Sequence, residues 1–303
     1  MHDHAHGQGP GVRHLGRLRF VLVTTVLVLL AQVLGAALSG SLALLADAGH
    51  ALTDVAGLVV ALLAVRIGSR PATPRLSFGF QRFEVLGALV NAILLLVVGV
   101  LVAIEAIERW GTPPEVRPGV MMGFAAAGLV VNLVGLLVLR QGAKESINVR
   151  GAYLEVLGDM LGSLGVLVAG AVLAGTGWAL ADPLASLVIA ALILPRAIIL
   201  LRQVVHVLLE GTPEGVELET VRGHILRAEG VVDVHDLHVW QLTSGVPVMS
   251  AHVVVDDDEL LACGPTGVLD RLADCLREHF DVEHSTFQVE PRSHADHEGS
   301  VHS

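Results

Sequence analysis

Six long apolar stretches constrain the fold of this chain more than any other feature. They cover residues 18–38, 42–66, 84–108, 119–140, 148–174 and 183–208. A helix needs about 20 apolar residues to cross a hydrocarbon core about 30 Å thick, and each stretch reaches that length. Hydrophobic residues make up 53% of the chain, which is more than soluble domains of this size usually contain. The sequence therefore predicts an α-helical membrane protein with six transmembrane helices.

The basic residues predict the orientation of these helices. Ten of them flank the start of the first stretch and the loops after the second and fourth, whereas the alternate loops hold two. The ten are Arg13, Arg17, Arg19, Arg66, Arg70, Arg75, Arg82, Arg140, Lys144 and Arg150, and the two are Arg109 and Arg117. Because basic loops stay on the cytoplasmic side, we expect both termini in the cytoplasm.

The region after the sixth stretch is a different kind of structure. Residues 211–303 hold 5 basic and 18 acidic residues, whereas residues 1–210 hold 14 and 12, so the acidic excess lies in the tail. This acidity argues against a nucleic-acid partner. The tail contains a helical segment, two β-branched runs joined by a hairpin signal at Ser244-Gly245, an amphipathic helix and a third strand. This order predicts a small α+β ferredoxin-like domain.

Ionisable residues interrupt two of the apolar stretches. His50 and Asp54 are four residues apart on the second, and Glu155 and Asp159 are four apart on the fifth, so each pair shares a helix face. A charge at mid-membrane depth costs about 3 kcal/mol or more, so packing explains four of them poorly. A divalent cation explains them better, and four N/O ligands suit tetrahedral Zn²⁺, with Co²⁺, Mn²⁺ and Fe²⁺ as open alternatives. Asp47 is a further candidate, one turn nearer the outer surface, with lining of the exit path as its alternative role.

Alternation along the strands predicts a second site in the acidic domain. A two-residue hairpin turn sets Leu237 opposite His252, which brings His252 to the same face as His235. Glu290 on the third strand completes a three-residue set. His284 is a further candidate. In the N-terminal tail, His2, His4 and His6 are candidates for weak zinc capture.

Six segments follow one another along the chain: SGSLALLADAGHALTD, SFGFQRFEVLGALVN, NVRGAYLEVLGDMLGSLGV, DPLASLVIAALIL, LLEGTP and VHDLHVW. In these segments and their order, the chain resembles the cation diffusion facilitator family of divalent-metal transporters. The resemblance implies a homodimer of six-helix subunits with cytoplasmic ferredoxin-like domains, and metal–proton exchange that usually exports zinc. It also implies that His50, Asp54, Glu155 and Asp159 form the transport site, and that His235, His252 and Glu290 form a cytoplasmic site. Many zinc-selective members have His where this chain has Glu155.

The resemblance and the residue patterns together predict four regions. They are a His-containing cytoplasmic tail (1–17), a six-helix transmembrane domain (18–208), a cytoplasmic metal-binding and dimerisation domain (209–291) and a flexible His-containing tail (292–303). We expect a multi-pass protein of the bacterial inner membrane, with the lipid bilayer, divalent cations and protons as its partners.

The function predicted from the sequence is proton-coupled zinc efflux by a secondary active transporter, not an enzyme. Cadmium and cobalt are expected as secondary substrates, with Zn²⁺ also bound by the cytoplasmic domain. One alternative is the same fold exporting manganese or iron. The others are a membrane protease, disfavoured by the absence of an HExxH motif, and a metal sensor that does not transport.

Overall fold

Six long helices account for most of the described residues up to residue 208. The computed structural model describes residues 15–68, 70–112, 115–140, 147–277 and 284–295. The helices are α1 (Leu15–Ser39), α2 (Leu42–Gly68), α3 (Phe83–Glu108), α4 (Pro118–Leu139), α5 (Ile147–Thr176) and α6 (Ala181–Leu208). Each apolar stretch of the sequence lies on one of them.

Within the described residues, five helices are long and apolar enough to cross a membrane. The qualifying segments are Leu22–Ser39 in α1, Phe83–Glu108, Pro118–Leu139, Tyr153–Thr176 in α5 and Ala181–Leu208. The 27-residue helix α2, which carries Asp47, His50 and Asp54, is not among these five. A membrane-spanning role for α2 therefore remains a prediction from its length and its neighbours.

The chain folds into two compact units, and the first comprises residues 1–63 and 90–201. Its interior is built largely from alanine, with Ala43, Ala46 and Ala125 fully buried beside Met121. Helix α4 packs against α1 and α5. At Gly35 of α1, an added Cβ would lie 2.5 Å from Cγ of Phe124 on α4, so a larger residue there would force these two helices apart.

The start of α2 is held by a residue from α6. The backbone N–H groups of Leu42 and Ala43 donate to the two carboxylate oxygens of Asp182, at 2.8 and 3.2 Å. The Ser41 hydroxyl donates to the same carboxylate. The first N–H groups of a helix have no partner inside the helix, and an acidic side chain there also interacts favourably with the helix dipole. Asp182, only 1% exposed, thus fixes where α2 begins.

The second unit comprises residues 64–89 and 202–303. It contains α7 (Leu218–Ile225), β1 (Val231–Thr243), β2 (Val246–Val255), α8 (Asp257–Arg277), β3 (His284–Pro291) and α9 (Arg292–Ala295). The strands form one sheet in the order β1-β2-β3, with β1 and β2 antiparallel and β2 and β3 parallel. These elements follow one another as the sequence predicts. The prediction of a small sheet in the C-terminal domain is therefore confirmed.

The second unit has its own apolar core under this sheet. Val234, Met249, Val253, Ile225 and Leu272 are buried there, from strands β1 and β2 and helices α7 and α8. The turn between β1 and β2 uses Gly245 at φ +77°, a conformation that glycine adopts without steric cost.

Candidate metal sites

The first candidate site lies in α2 and α5. His50 Nε2 is 3.7 Å from Asp54 Oδ2 and 3.8 Å from Asp159 Oδ1. One ligand atom from each of these three residues lies within 4.8 Å of the other two. Their side chains are 8 to 13% exposed, so the group is buried among apolar helices.

Two atoms of this group have no hydrogen-bond partner among the described residues. They are His50 Nδ1 and Asp54 Oδ2, each buried from solvent. A buried polar atom without a partner costs about 1–3 kcal/mol, so its presence needs an explanation, and a bound ion is one. An imidazole nitrogen and two carboxylates at these distances are a donor set that binds Zn²⁺ and neighbouring divalent transition metals.

Glu155 lies beside this group and has a partner of its own. Its Oε1 is 3.6 Å from Nη2 of Arg196 on α6. The three-residue group of His50, Asp54 and Asp159 does not include it. The sequence analysis assigned Glu155 to the four-residue transport site and did not consider Arg196. An arginine inside an apolar stretch could have indicated that a nearby acid has a basic partner.

Asp47 occupies a separate hydrogen-bonded position one turn away on α2. Gln32 Nε2 donates to its Oδ2 at 2.5 Å, and Ser163 Oγ donates to the same atom at 3.1 Å. Its Oδ1 would lie 2.6 Å from a Cβ added at Gly162. Asp47 is 3% exposed. These contacts join α1, α2 and α5 through one carboxylate and give Asp47 a packing role.

The second candidate site lies on the sheet of the second unit. His235 and His252 are direct partners on β1 and β2, with ring centroids 5.0 Å apart. Glu290 Oε1 lies 2.8 Å from His252 Nδ1, and Glu290 Oε2 lies 3.4 Å from His235 Nε2. Glu290 is 2% exposed, and its Oε2 has no hydrogen-bond partner within the described residues. Two imidazoles and a buried carboxylate suit a zinc ion.

The register that the sequence predicted for this hairpin is wrong. His252 lies opposite His235, not opposite Leu237, because the pairing shifts between His235 and His238 and again near the turn. Asp236 in the first shift has φ +46°, so an extra residue bulges out of β1 there. The same two histidines still meet on one face.

The bulge also brings a residue that strand alternation could not predict. Ligand atoms of His235, Asp236 and His252 all lie within 4.8 Å of one another. Regular alternation would have put Asp236 on the face opposite His235. His284, at the start of β3, pairs with Val248 and belongs to neither group that the described residues form. His2, His4 and His6 lie outside the described residues.

Comparison with known proteins decides the family. The family model for the cation efflux transmembrane domain matches residues 18–209, and that for the cation efflux protein cytoplasmic domain matches residues 213–292. The chain belongs to the cation efflux family. The resemblance to cation diffusion facilitators is thereby confirmed.

Curated members of the cation efflux family match nearly the whole chain. The zinc transporter ZitB of Escherichia coli is 42% identical over 295 residues, covering 95% of this chain and 91% of ZitB. The metal cation efflux system protein CzcD of Cupriavidus metallidurans is 41% identical, covering 95% and 89%. A "cadmium, cobalt and zinc/H(+)-K(+) antiporter" of Bacillus subtilis is 38% identical, covering 96% and 93%.

Each candidate metal site of this cation efflux protein falls in a different family region. His50, Asp54 and Asp159 lie in the part matched by the transmembrane-domain model, and His235 and His252 lie in the part matched by the cytoplasmic-domain model. The apolar helices and the family together make this an integral membrane protein that exports metal cations.

Proposed function

We propose that this protein exports Zn²⁺ in exchange for protons, with Cd²⁺ and Co²⁺ as secondary substrates. The observation that carries the proposal is the buried group of His50, Asp54 and Asp159, whose ligand atoms already lie close together between two apolar helices. The names of the relatives, which include zinc, cadmium and cobalt transporters, support the choice of metals.

The transported ion binds four ligands in this proposal. His50 supplies a nitrogen, Asp54 and Asp159 supply an oxygen each, and Glu155 supplies the fourth from one turn away on α5. Four N/O donors match the tetrahedral preference of Zn²⁺. The partnerless His50 Nδ1 and Asp54 Oδ2 support this assignment, because metal binding reorients side chains that lack other partners.

Protons replace the metal after its release. Metal ligands must lose their protons before they coordinate, so loading displaces protons and unloading lets them return. Asp54 and Asp159 are buried beside a single imidazole, and burying charges without enough partners is unfavourable, which supports a protonated empty site. The helices then alternate access around a fixed midplane site, as secondary transporters do.

The cytoplasmic site binds zinc in a homodimer in this proposal. His235, His252 and Glu290 would hold the ion, and the buried partnerless Oε2 of Glu290 supports that role. Zinc would offset part of the acidic charge of the paired domains. We place six spans in the bacterial inner membrane with both termini in the cytoplasm, as the basic loops and the α1–α6 helices support.

A second candidate function is the export of Mn²⁺ or Fe²⁺ by the same site. The observation that favours it is the excess of carboxylates, with three acids beside one imidazole. Oxygen ligands suit Mn²⁺ better than imidazole and thiolate sites do. His50, with one ligand nitrogen facing both Asp54 and Asp159, favours zinc.

Metal flux into everted membrane vesicles tests the proposal. Zn²⁺, Cd²⁺, Co²⁺, Mn²⁺ and Fe²⁺ are compared at equal concentration under an imposed pH gradient. We expect the highest rate for Zn²⁺, with Cd²⁺ and Co²⁺ following. A rate for Mn²⁺ or Fe²⁺ above that for Zn²⁺ would select the second candidate, and no flux of any metal would contradict both.

A further inference from the structure

Arg196 is a charged residue inside α6 that the proposed transport cycle does not use. It follows Pro195, fifteen residues into a helix of 28 residues that is long and apolar enough to cross a membrane. An arginine in an apolar membrane helix is costly, and such residues usually pair with an acid or mark an ion path. Arg196 pairs with Glu155, with 3.6 Å between Nη2 and Oε1.

The pair separates Glu155 from the other acids of the site. Asp54 and Asp159 face His50 Nε2, whereas Glu155 faces a permanently charged guanidinium. Asp47, the remaining acid nearby on α2, has Gln32 and Ser163 as donors. Among these acids in the described part of the chain, Glu155 is therefore the one that forms an ion pair with Arg196.

The charges of the loaded site balance only when Arg196 is counted. A divalent cation with Asp54, Asp159 and Glu155 leaves one net negative charge beside the neutral imidazole. Arg196 cancels that charge. An uncompensated charge in a low-dielectric membrane is strongly unfavourable, so the third carboxylate requires a fixed cation nearby.

We propose that Arg196 is a fixed counter-ion of the transport site. It holds Glu155 while the site is empty, and it offsets the charge of the third carboxylate when the metal is bound. Zinc must then compete with the guanidinium for Glu155, which weakens binding and speeds release. This inference rests on the proposed transport function of His50, Asp54, Glu155 and Asp159.

Transport kinetics of R196Q test this role. Removing the guanidinium leaves Glu155 free and makes the empty site more negative, so zinc should bind more tightly and leave more slowly. We expect KM for zinc to fall on the order of a hundredfold, as for a divalent ion and one unit charge about 10 Å apart at an effective dielectric of about 20. The maximal rate of zinc transport should also fall, because zinc leaves the site more slowly. The matched control is R202Q, further along the same helix, where the arginine is exposed as Arg196 is; it should leave both constants at the wild-type values.

A comparison of variants that keep or remove the positive charge distinguishes a counter-ion from a merely structural residue. R196K keeps the charge and should resemble wild type, whereas R196M, which is also neutral, should match R196Q. Equal KM and maximal rate in R196Q and wild type would overturn the proposal. R196K with the same KM and maximal rate as R196Q would also overturn it.

The counter-ion role can be tested even if R196Q does not fold. If R196Q fails to accumulate in the membrane, R196Q/E155Q must accumulate, because no unpaired carboxylate remains; a double variant that is also absent would overturn the counter-ion role. A wild-type protein without zinc flux would instead contradict the proposed function, so the two failures are distinguishable.

Discussion

Removing the Asp182 carboxylate should loosen the start of α2, the helix that carries His50 and Asp54. In Asp182→Ala, the backbone N–H groups of Leu42 and Ala43 lose their acceptor, and so does the Ser41 hydroxyl. Asp182 is buried, so water cannot replace all three bonds without rearrangement of the helix end.

The magnitude follows from the bonds that are lost. A helix cap contributes about 1 kcal/mol, and each buried donor without a partner costs about 1–3 kcal/mol. Water reaching the start of α2 should hold the total at the low end, at about 3 kcal/mol of unfolding free energy. At about 2 °C per kcal/mol for a chain of this size, the melting temperature should fall by roughly 6 °C.

The assay combines thermal unfolding in detergent with zinc flux in proteoliposomes. Asp182→Ala should lower both stability and maximal flux, because His50 and Asp54 are no longer held at one depth. Asp182→Asn retains one acceptor oxygen and should lie between Asp182→Ala and wild type. Glu108→Ala, which removes an exposed acid at the end of α3, serves as the control. An unchanged melting temperature in Asp182→Ala would refute the capping role.

Two further predictions concern packing and the cytoplasmic site. Gly162→Ala places a Cβ 2.6 Å from Asp47 Oδ1, so it should displace that carboxylate, destabilise the protein by about 1–3 kcal/mol and lower zinc flux. The control is Gly165→Ala, whose Cβ meets nothing within 4 Å and which should leave stability and flux unchanged. Equal flux and stability in the two variants would contradict the packing role of Asp47. The pair His235→Ala and His252→Ala should reduce the number of bound zinc ions and blunt the response to cytoplasmic zinc while some basal transport remains, and an unchanged titration would rule out the site.

The helices could be predicted from the sequence because their lengths and composition are properties of single segments. The i, i+4 spacing of His50 and Asp54 likewise fixes a shared helix face before any packing is known. The contact between His50 and Asp159 also followed from chemistry, because isolated ionisable residues in apolar helices need partners.

Contacts that depend on packing between segments could not be predicted in this way. Arg196 reaches Glu155 from another helix, and nothing in the spacing of either residue indicates that α5 and α6 bring them together. The sheet register failed for a local reason, since Asp236 adopts a left-handed conformation that strand alternation does not anticipate. Asp236 consequently joins His235 and His252.

Simultaneous measurement of zinc flux and internal pH tests the central claim most directly. Wild-type protein and Asp159→Ala are compared in proteoliposomes with the membrane potential clamped. We expect a pH gradient to drive zinc transport in the wild type and zinc transport to move protons in the opposite direction, and we expect neither effect in folded Asp159→Ala. Wild-type flux in folded Asp159→Ala would contradict the assigned site, and zinc flux indifferent to the pH gradient and without proton movement would contradict the exchange.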